Sequence, residues 1–311
     1  MTTSPRVRVA LVGTTASGKS ALAHDVARQL AGVEIATVDS MTVYREMNIG
    51  TAKPTREERA EVTYHLLDLV DPSEEFTVAQ FQRAAHDVES DVAARERALL
   101  YVGGTGLYGR AVIDELEIPA QYPELRAQLE QRARDGLDTL YRELLERDPI
   151  AAARMEPTNE RRIVRALEVT LGSERPFSSF GPGLEKYPPA RMVQVGLRRE
   201  FVELDLRIEQ RFARWMREGL LDEVAALRER AGALSRTARQ AVGYRELLAH
   251  LDDGVDLDES VANAISATRR LARRQRAWFA RDPRIEWFDD PATARERLLS
   301  LLSESPANVA H

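Results

Sequence analysis

Cysteine is absent from this 311-residue chain. Its absence excludes disulfides, a thiol nucleophile and any Cys-ligated zinc, and it suits a reducing compartment. Long apolar runs are missing as well: ALLYVGG and RVALVG are far too short to cross a bilayer. The opening MTTSPRVRVALVG lacks a signal-peptide h-region and cleavage site, so cytoplasmic residence is the expectation. Net positive charge is lacking too, the formal value being −6. That mean hides a segregated distribution, because Val261 to Arg281 carries Arg269, Arg270, Arg273, Arg274, Arg276 and Arg281 and no carboxylate. A polyanion could dock on that segment. The hydrophobic content of 43% is enough for one substantial core and a second, smaller lobe.

The order of patterns is that of an α/β protein. RVRVALVG reads as a buried strand, GTTASGKS as a Gly-rich turn and SALAHDVARQLA as an amphipathic helix. GVEIATVDS supplies a second strand ending in Asp39, VAQFQRAAHDVESDVAARER a long helix, and RALLYVGG a strand running into a Gly-Gly turn. Such alternation means a mostly parallel, wound sheet. From Tyr122 to Leu171 only helix patterns remain, which marks a helical insertion; SERPFSSFGPGLEKYPPA returns from it, and RMVQVGL restores strand character. After Leu197 the pattern is helical through FVELDLRIEQRFARWMREGLLDEVAALRER and the basic helix, before a short RIEWF strand, a terminal helix and a frayed SESPANVAH. The expected fold is therefore a P-loop NTPase-like α/β core with a wound parallel sheet plus a mostly helical insertion. The core comprises residues 1–118 and 191–311, the insertion residues 119–190.

Gly13-Thr14-Thr15-Ala16-Ser17-Gly18-Lys19-Ser20 fits G-x-x-x-x-G-K-[ST] between a strand and a helix. Backbone N–H groups of such a turn point at phosphate oxygens, the helix N-terminus adds a favourable dipole, Lys19 neutralises charge and the Ser20 hydroxyl can ligate Mg²⁺. A P-loop identifies phosphate, not a reaction. Where an ATPase would place a metal-binding Asp, the strand RALLYVGG ends in Gly103-Gly104-Thr105. Asp39 instead stands where small P-loop kinases face the acceptor group, so it reads either as an acceptor-activating base or as a turn or helix cap. Asp252-Asp253-Gly254-Val255-Asp256 spells D-D-x-x-D, the Mg²⁺-diphosphate pattern of chain-elongating prenyl synthases. Its central glycine and flanking acids read as an exposed turn.

In order, GTTASGKS, DSMTVYREMNIGTAKP, HLLDLVDP, VGGTGLY, RRIVRALEV, RIEQRF, AVGYRE and ATRRLARRQRAWFARD resemble the blocks of the tRNA dimethylallyltransferase (tRNA isopentenyltransferase) family of bacterial type, from Val9 to about Asp282. DSMTVYREMNIGTAKP is the most specific of these. The resemblance implies transfer of a five-carbon group from dimethylallyl diphosphate to the exocyclic amine of the adenosine 3′-adjacent to the anticodon, in tRNAs reading codons that begin with U. Pyrophosphate leaves. It further implies that Gly13 to Ser20 bind the diphosphate with Mg²⁺ at Ser20, that Arg211 reaches the diphosphate and that Asp39 is the general base. Ser40, Met41, Thr42 and Thr105 would lie by the flipped adenine, although Thr105 also reads as a cap of the helix after it. Arg161, Arg162 and Arg165 would grip the anticodon stem, with Arg126 and Arg245 as further candidates. The basic helix interleaves arginines with Gln275, Trp278 and Phe279, a mixture that suits RNA: Arg273 and Arg274 read as phosphate ligands, Gln275 as a reader of base edges, and the two aromatics either as core, the favoured reading, or as support for an unstacked loop nucleotide. The expected partners are a tRNA anticodon stem-loop and the isoprenoid donor, with the enzyme monomeric.

Three positions depart from the family pattern. Thr14 stands where proline is usual, Thr42 where many members have glutamine and Glu46 where glycine is common. Two other readings share parts of the signal: a small-molecule or nucleoside kinase would use the same P-loop and acceptor-facing Asp, and a non-catalytic RNA binder would need the basic helix alone.

Overall fold

The computed structural model describes residues 8–303 apart from residue 182, so the expectation of a frayed SESPANVAH falls, beyond Ser303, outside the described residues. The chain divides into two compact units: one runs to Asp114 and resumes at Pro189, and the other is Glu115–Pro188.

The first unit is built on six strands: β1 (Arg8–Gly13), β2 (Val33–Val38), β3 (Tyr64–His65), β4 (Ala98–Gly103), β5 (Met192–Leu197) and β6 (Ile285–Phe288). They form one sheet in the order β3-β2-β4-β1-β5-β6, and every pairing is parallel. β1 lies at the centre between β4 and β5 with Val9 to Val12 all buried, which is why its sequence is continuously apolar instead of alternating. Val9 and Leu11 face the helices Lys19–Gln29 and Pro291–Ser303; Ala10 and Val12 face the larger layer that includes Val78–Ala94, Phe201–Arg217 and Leu257–Phe279. The long run after β5 is two helices, since Gly219 takes φ 95° and divides Phe201–Arg217 from Leu220–Glu229. β3 was not foreseen; two residues carry too little periodicity to be read.

The D-D-x-x-D segment is a turn between helices. Gly254 ends Tyr244–Asp253 with φ 71°, Asp256 caps the next helix by accepting from the Glu259 N–H, and Asp252 accepts from Arg228 and pairs with Arg239. Those bonds occupy two of its three carboxylates.

In the second unit the helices Pro123–Arg147 and Glu160–Ser173 enclose a separate core that includes Leu129, Leu140, Leu144, Ile163 and Leu167. Glu168 is fully buried there, accepting from the Tyr122 N–H at 2.8 Å and pairing with Arg165 at 2.9 Å and Arg126 at 3.6 Å. A buried carboxylate needs such partners, because its desolvation otherwise costs several kcal/mol.

Candidate active site

Three strand ends supply the site, at the carboxyl edge where open α/β sheets bind ligands. β1 delivers the Gly13–Ser20 turn, β2 delivers Asp39 and β4 delivers Gly104-Thr105. Close approach of the strands demands glycine at Gly103: it pairs with both Val12 and Val38, and a Cβ there would come within 2.2 Å of the Val38 carbonyl oxygen.

The turn holds two left-handed residues, Ala16 at φ 63° and Gly18 at φ 96°. Glycine adopts this freely, whereas alanine does so at a cost of about 1–2 kcal/mol that neighbouring contacts must offset. Within the turn, the Ser17 N–H and the Lys19 ammonium both donate to the Thr14 carbonyl, at 3.3 and 3.2 Å. The hydroxyls of Thr14 and Ser17 are buried without partners, and Ser20 is exposed in the first turn of the helix Lys19–Gln29.

Further side chains reach the turn from outside. Arg211 donates to the Thr15 hydroxyl at 3.0 Å and lies 5.4 Å from the centre of the Trp215 ring. Arg199 donates to the Ser17 carbonyl at 3.3 Å, and Arg207 is near enough that a Cβ on Gly18 would sit 3.7 Å from its guanidinium. Arg199 and Arg207 escaped the sequence reading. For Arg207 a signal existed: it precedes Arg211 by one helical turn in RIEQR, so both share a face.

Burial governs the electrostatics. Loss of hydration pushes the Lys19 ammonium from 10.5 down to about 8; the Asp39 carboxylate opposes that shift and Arg211 adds to it. Arg211 is likewise pushed down to about 10 by burial, with Arg214 and Arg207 adding repulsion. Asp39 is moved upward by burial, against the pull of the Met41 N–H at 2.8 Å, of Lys19 and of Thr105. Two dehydrated cations, Lys19 and Arg211, beside one reluctant carboxylate favour an anion at the turn, while Arg199 and Arg207 already share the Glu203 carboxylate at 3.2 and 3.0 Å.

Thr105 occupies the N-cap position of the helix Gly106–Ile113 but makes no capping bond. Its hydroxyl accepts from the Ser40 N–H at 3.4 Å and bonds Asp39, so it joins the end of β4 to the segment after β2. Thr42 is buried at 4% exposure and donates to the Asp39 carbonyl at 3.5 Å. Beyond it the chain is pinned by Glu223, another residue that sequence reasoning missed. Its carboxylate accepts the N–H groups of Asn48 and Ile49 at 3.0 and 2.9 Å and the Tyr244 hydroxyl at 2.6 Å. Glu46 has φ 65°, a conformation that glycine adopts most readily, and its carboxylate pairs with Arg230 at 2.6 Å.

The basic helix is only partly free for a polyanion. Arg269 pairs with Glu209, and Arg273 with Asp205 at 3.0 Å, while Arg273 and Arg276 flank the Phe201 ring at 5.1 and 4.8 Å. The carboxylates lacking in that segment thus come from the neighbouring helix Phe201–Arg217. Arg274 is exposed and has no partner among the described residues. Phe279 is core and Trp278 packs partly buried against it. Gln275 turns inward: its Oε1 accepts from the Thr15 N–H at 2.7 Å and its Nε2 donates to the Gly104 carbonyl at 2.9 Å. Arg245 pairs with Glu246. In the second unit Arg161 and Arg162 are exposed, whereas Arg165 and Arg126 serve Glu168; Arg165 also donates to the carbonyls of Pro119 and Ala120.

A Gly-rich turn after β1, a half-buried carboxylate after β2 and no acid at the end of β4 line one strand edge of a P-loop-like α/β protein. Residues 42–282 match the IPP transferase model, and the chain belongs to that family. It is 45% identical over 285 residues to the tRNA dimethylallyltransferase of Bifidobacterium animalis subsp. lactis, an alignment covering 90% of this chain and 81% of that one. It is 36% identical to the full-length tRNA isopentenylpyrophosphate transferase of Bacillus halodurans, whose crystal structure matches with a TM-score of 0.69 over 96% of this chain and 98% of that one. A eukaryotic dimethylallyltransferase acting on tRNA shares the fold, with a TM-score of 0.76 at 23% identity over 98% of this chain and 78% of that one.

Proposed function

We propose that this chain is a tRNA-modifying prenyltransferase that moves the dimethylallyl group of dimethylallyl diphosphate onto the exocyclic amine of an adenosine in tRNA. The observation that carries this is the pairing of the Gly13–Ser20 turn with Asp39 and Thr105 across one strand edge, where β4 supplies no acid for a nucleotide-hydrolysing metal. In the reaction the amine nitrogen forms a bond to the donor's first carbon, the carbon–oxygen bond to diphosphate breaks, and the amine proton passes to Asp39. An aromatic amine is a weak nucleophile. A carboxylate within hydrogen-bond reach typically contributes ~10²–10⁴-fold by accepting that proton as the bond forms, and the raised affinity of Asp39 for a proton strengthens it as a base. Lys19, Arg211 and the turn amides stabilise the charge that builds on the leaving diphosphate.

The adenosine 3′-adjacent to the anticodon, in tRNAs reading codons that begin with U, is the acceptor implied by the family blocks in this sequence. Mg²⁺ is the cation that fits. Among the described residues no three His, Cys, Asp or Glu side chains converge as a cage, and Mg²⁺ commonly takes one or two protein ligands plus substrate phosphates. Ser20 would supply the hydroxyl, and the ion would neutralise the departing diphosphate. Arg161, Arg162, Arg273 and Arg274 are the proposed RNA contacts. Among the described residues no helix is long and apolar enough to cross a membrane; we place the activity in the cytoplasm, acting as a monomer, since one chain supplies every group of the cradle.

Purified protein with Mg²⁺ and unmodified tRNA should transfer label from dimethylallyl diphosphate to adenosine. Transfer of the γ-phosphate of ATP to a small acceptor would instead make the chain a kinase, and RNA binding without turnover would leave only a binding protein.

A further inference from the structure

Gln275 was expected to read a base edge, since it sits among arginines on a basic helix. Its side chain is committed elsewhere. One end accepts the Thr15 N–H of the phosphate turn at 2.7 Å, the other donates to the Gly104 carbonyl at 2.9 Å, and both groups of its amide are thereby used. The fit is close: a Cβ on Gly104 would lie 2.9 Å from the Gln275 amide nitrogen, 3.0 Å from the Gly13 carbonyl oxygen and 3.4 Å from the Lys19 ammonium. Gly104 leads directly into Thr105, whose hydroxyl bonds Ser40 and Asp39. A single amide therefore ties the donor-gripping turn to the acceptor-side turn, and it does so from the helix whose outer face carries Arg273 and Arg274.

A second connection runs in parallel. Arg276, on the same helix, donates to the Arg199 carbonyl, and the Arg199 guanidinium donates to the Ser17 carbonyl at 3.3 Å. The phosphate turn is held at Thr15 and Ser17 by two ties to Leu257–Phe279, while its own left-handed Ala16 works against the conformation it must keep.

Resting on the prenyltransferase reading above, we propose that Gln275 is a positioning residue for the donor: it braces the Gly13–Ser20 turn against Gly104-Thr105 and makes no sequence-reading contact with RNA. The brace presets the turn for diphosphate and fixes how far the diphosphate stands from Thr105 and Asp39.

The test uses the full chain and three variants. Gln275→Met keeps the length of the side chain and loses both bonds. Gln275→Glu keeps an acceptor for Thr15 and loses the donor to Gly104. Arg274→Ala is the control on the outer face. Inorganic pyrophosphate with Mg²⁺, without RNA, reports the donor site; an unmodified anticodon stem-loop, without donor, reports RNA affinity. Gln275→Met should weaken pyrophosphate binding about tenfold, the scale of one to two lost hydrogen bonds. It should also lower kcat, and its RNA affinity should stay within about twofold of the parent. Gln275→Glu should weaken pyrophosphate binding at least as much, because its second carboxylate oxygen faces the Gly104 carbonyl and its charge repels the anion, and its RNA affinity should likewise stay within about twofold of the parent. If Gln275→Met does not fold, Gln275→Glu alone decides, by whether its loss lies in pyrophosphate or in RNA. Loss of RNA affinity with pyrophosphate binding unchanged would overturn the brace and restore the base-reading role. Unchanged pyrophosphate affinity in both variants would also overturn it, while a parent protein that binds no pyrophosphate would sink the prenyltransferase reading itself.

Discussion

Two sets of arginines that look alike in the sequence are put to different use by the fold. Around the phosphate turn, Arg211 is pushed down to about 10 by burial, while Arg199 donates to the Ser17 carbonyl and shares the Glu203 carboxylate with the half-exposed Arg207. On the outer faces, Arg274, Arg161 and Arg162 stand in solvent. A cation stripped of water gains strongly from an anion that restores its lost hydration energy, whereas a hydrated cation contributes a long-range attraction that salt screens. The inner set should therefore govern donor binding and turnover, and the outer set should govern RNA affinity and its dependence on ionic strength.

The sharpest way to break that division is at Asp39. Asp39→Asn should lower turnover by about 10²–10⁴-fold while leaving affinity for an anticodon stem-loop unchanged, as measured by single-turnover transfer and by RNA titration. Its effect on stability should run the opposite way. Because burial raises the folded pKa of Asp39 above the ordinary 3.8, the folded protein holds that proton longer than the unfolded chain, and stability falls as pH rises from about 3.8 through the raised value. The amide removes that loss, so Tm should be higher than the parent's at pH 7 and the gain should shrink towards pH 3.8. A lower Tm at pH 7 would mean that Asp39 is a structural acceptor for Met41 more than a strained base.

Next in size is the inner arginine itself. Arg211→Ala should weaken Mg²⁺-pyrophosphate binding by roughly 10–100-fold, since hydrogen bonds to charged groups are worth about 1.5–3 kcal/mol. RNA affinity measured without donor should hardly move. Smaller again is the effect of pH on the same equilibrium. Lys19 is held down to about 8 by burial, so pyrophosphate affinity should fall as pH rises through that value and the ammonium is lost. Arg cannot be deprotonated there, and Lys19→Arg should show a flatter profile between pH 7 and about 9.

How much of this was legible in the sequence depends on how far each bond reaches. The Gly13–Ser20 turn was legible as a link between a strand and a helix, because its residues bond among themselves and to the helix they start, whereas its ties to Gln275 and Arg199 were not. Asp39 was legible as the end of a strand, and Arg211 only through resemblance to a family block, since nothing local tells an inward helical arginine from a solvated one. Gln275 was assigned to RNA because its neighbours are arginines, and its bond to Thr15 spans 260 residues. Glu223 grips Ile49 across 174 residues and left no local sign. The basic run looked free of carboxylates because its partners, Asp205 and Glu209, lie 68 and 60 residues away on another helix. Arg126 and Arg165 looked like stem-gripping cations, yet the buried Glu168 already holds both.

That last distinction, between free and engaged cations, orders the smallest effects. Arg274→Ala removes a charge that has no partner among the described residues, so RNA affinity should fall a few-fold at moderate salt and the slope of log affinity against log salt should drop by about one unit or less. Arg273→Ala should cost less, because Arg273 is already engaged by Asp205 and lies over Phe201, and Arg269 remains beside that carboxylate. Asp205→Asn then separates the two explanations for a weak Arg273 effect. If Asp205 holds Arg273 away from phosphate, removing its charge should raise RNA affinity by about twofold and steepen the salt slope, since an exposed ion pair contributes only ~0.2–1 kcal/mol and is readily exchanged for another anion. If Asp205 instead aligns Arg273 for phosphate, the same substitution should lower affinity and flatten the slope. Two titrations at two salt concentrations decide it, because the two accounts move both quantities in opposite directions.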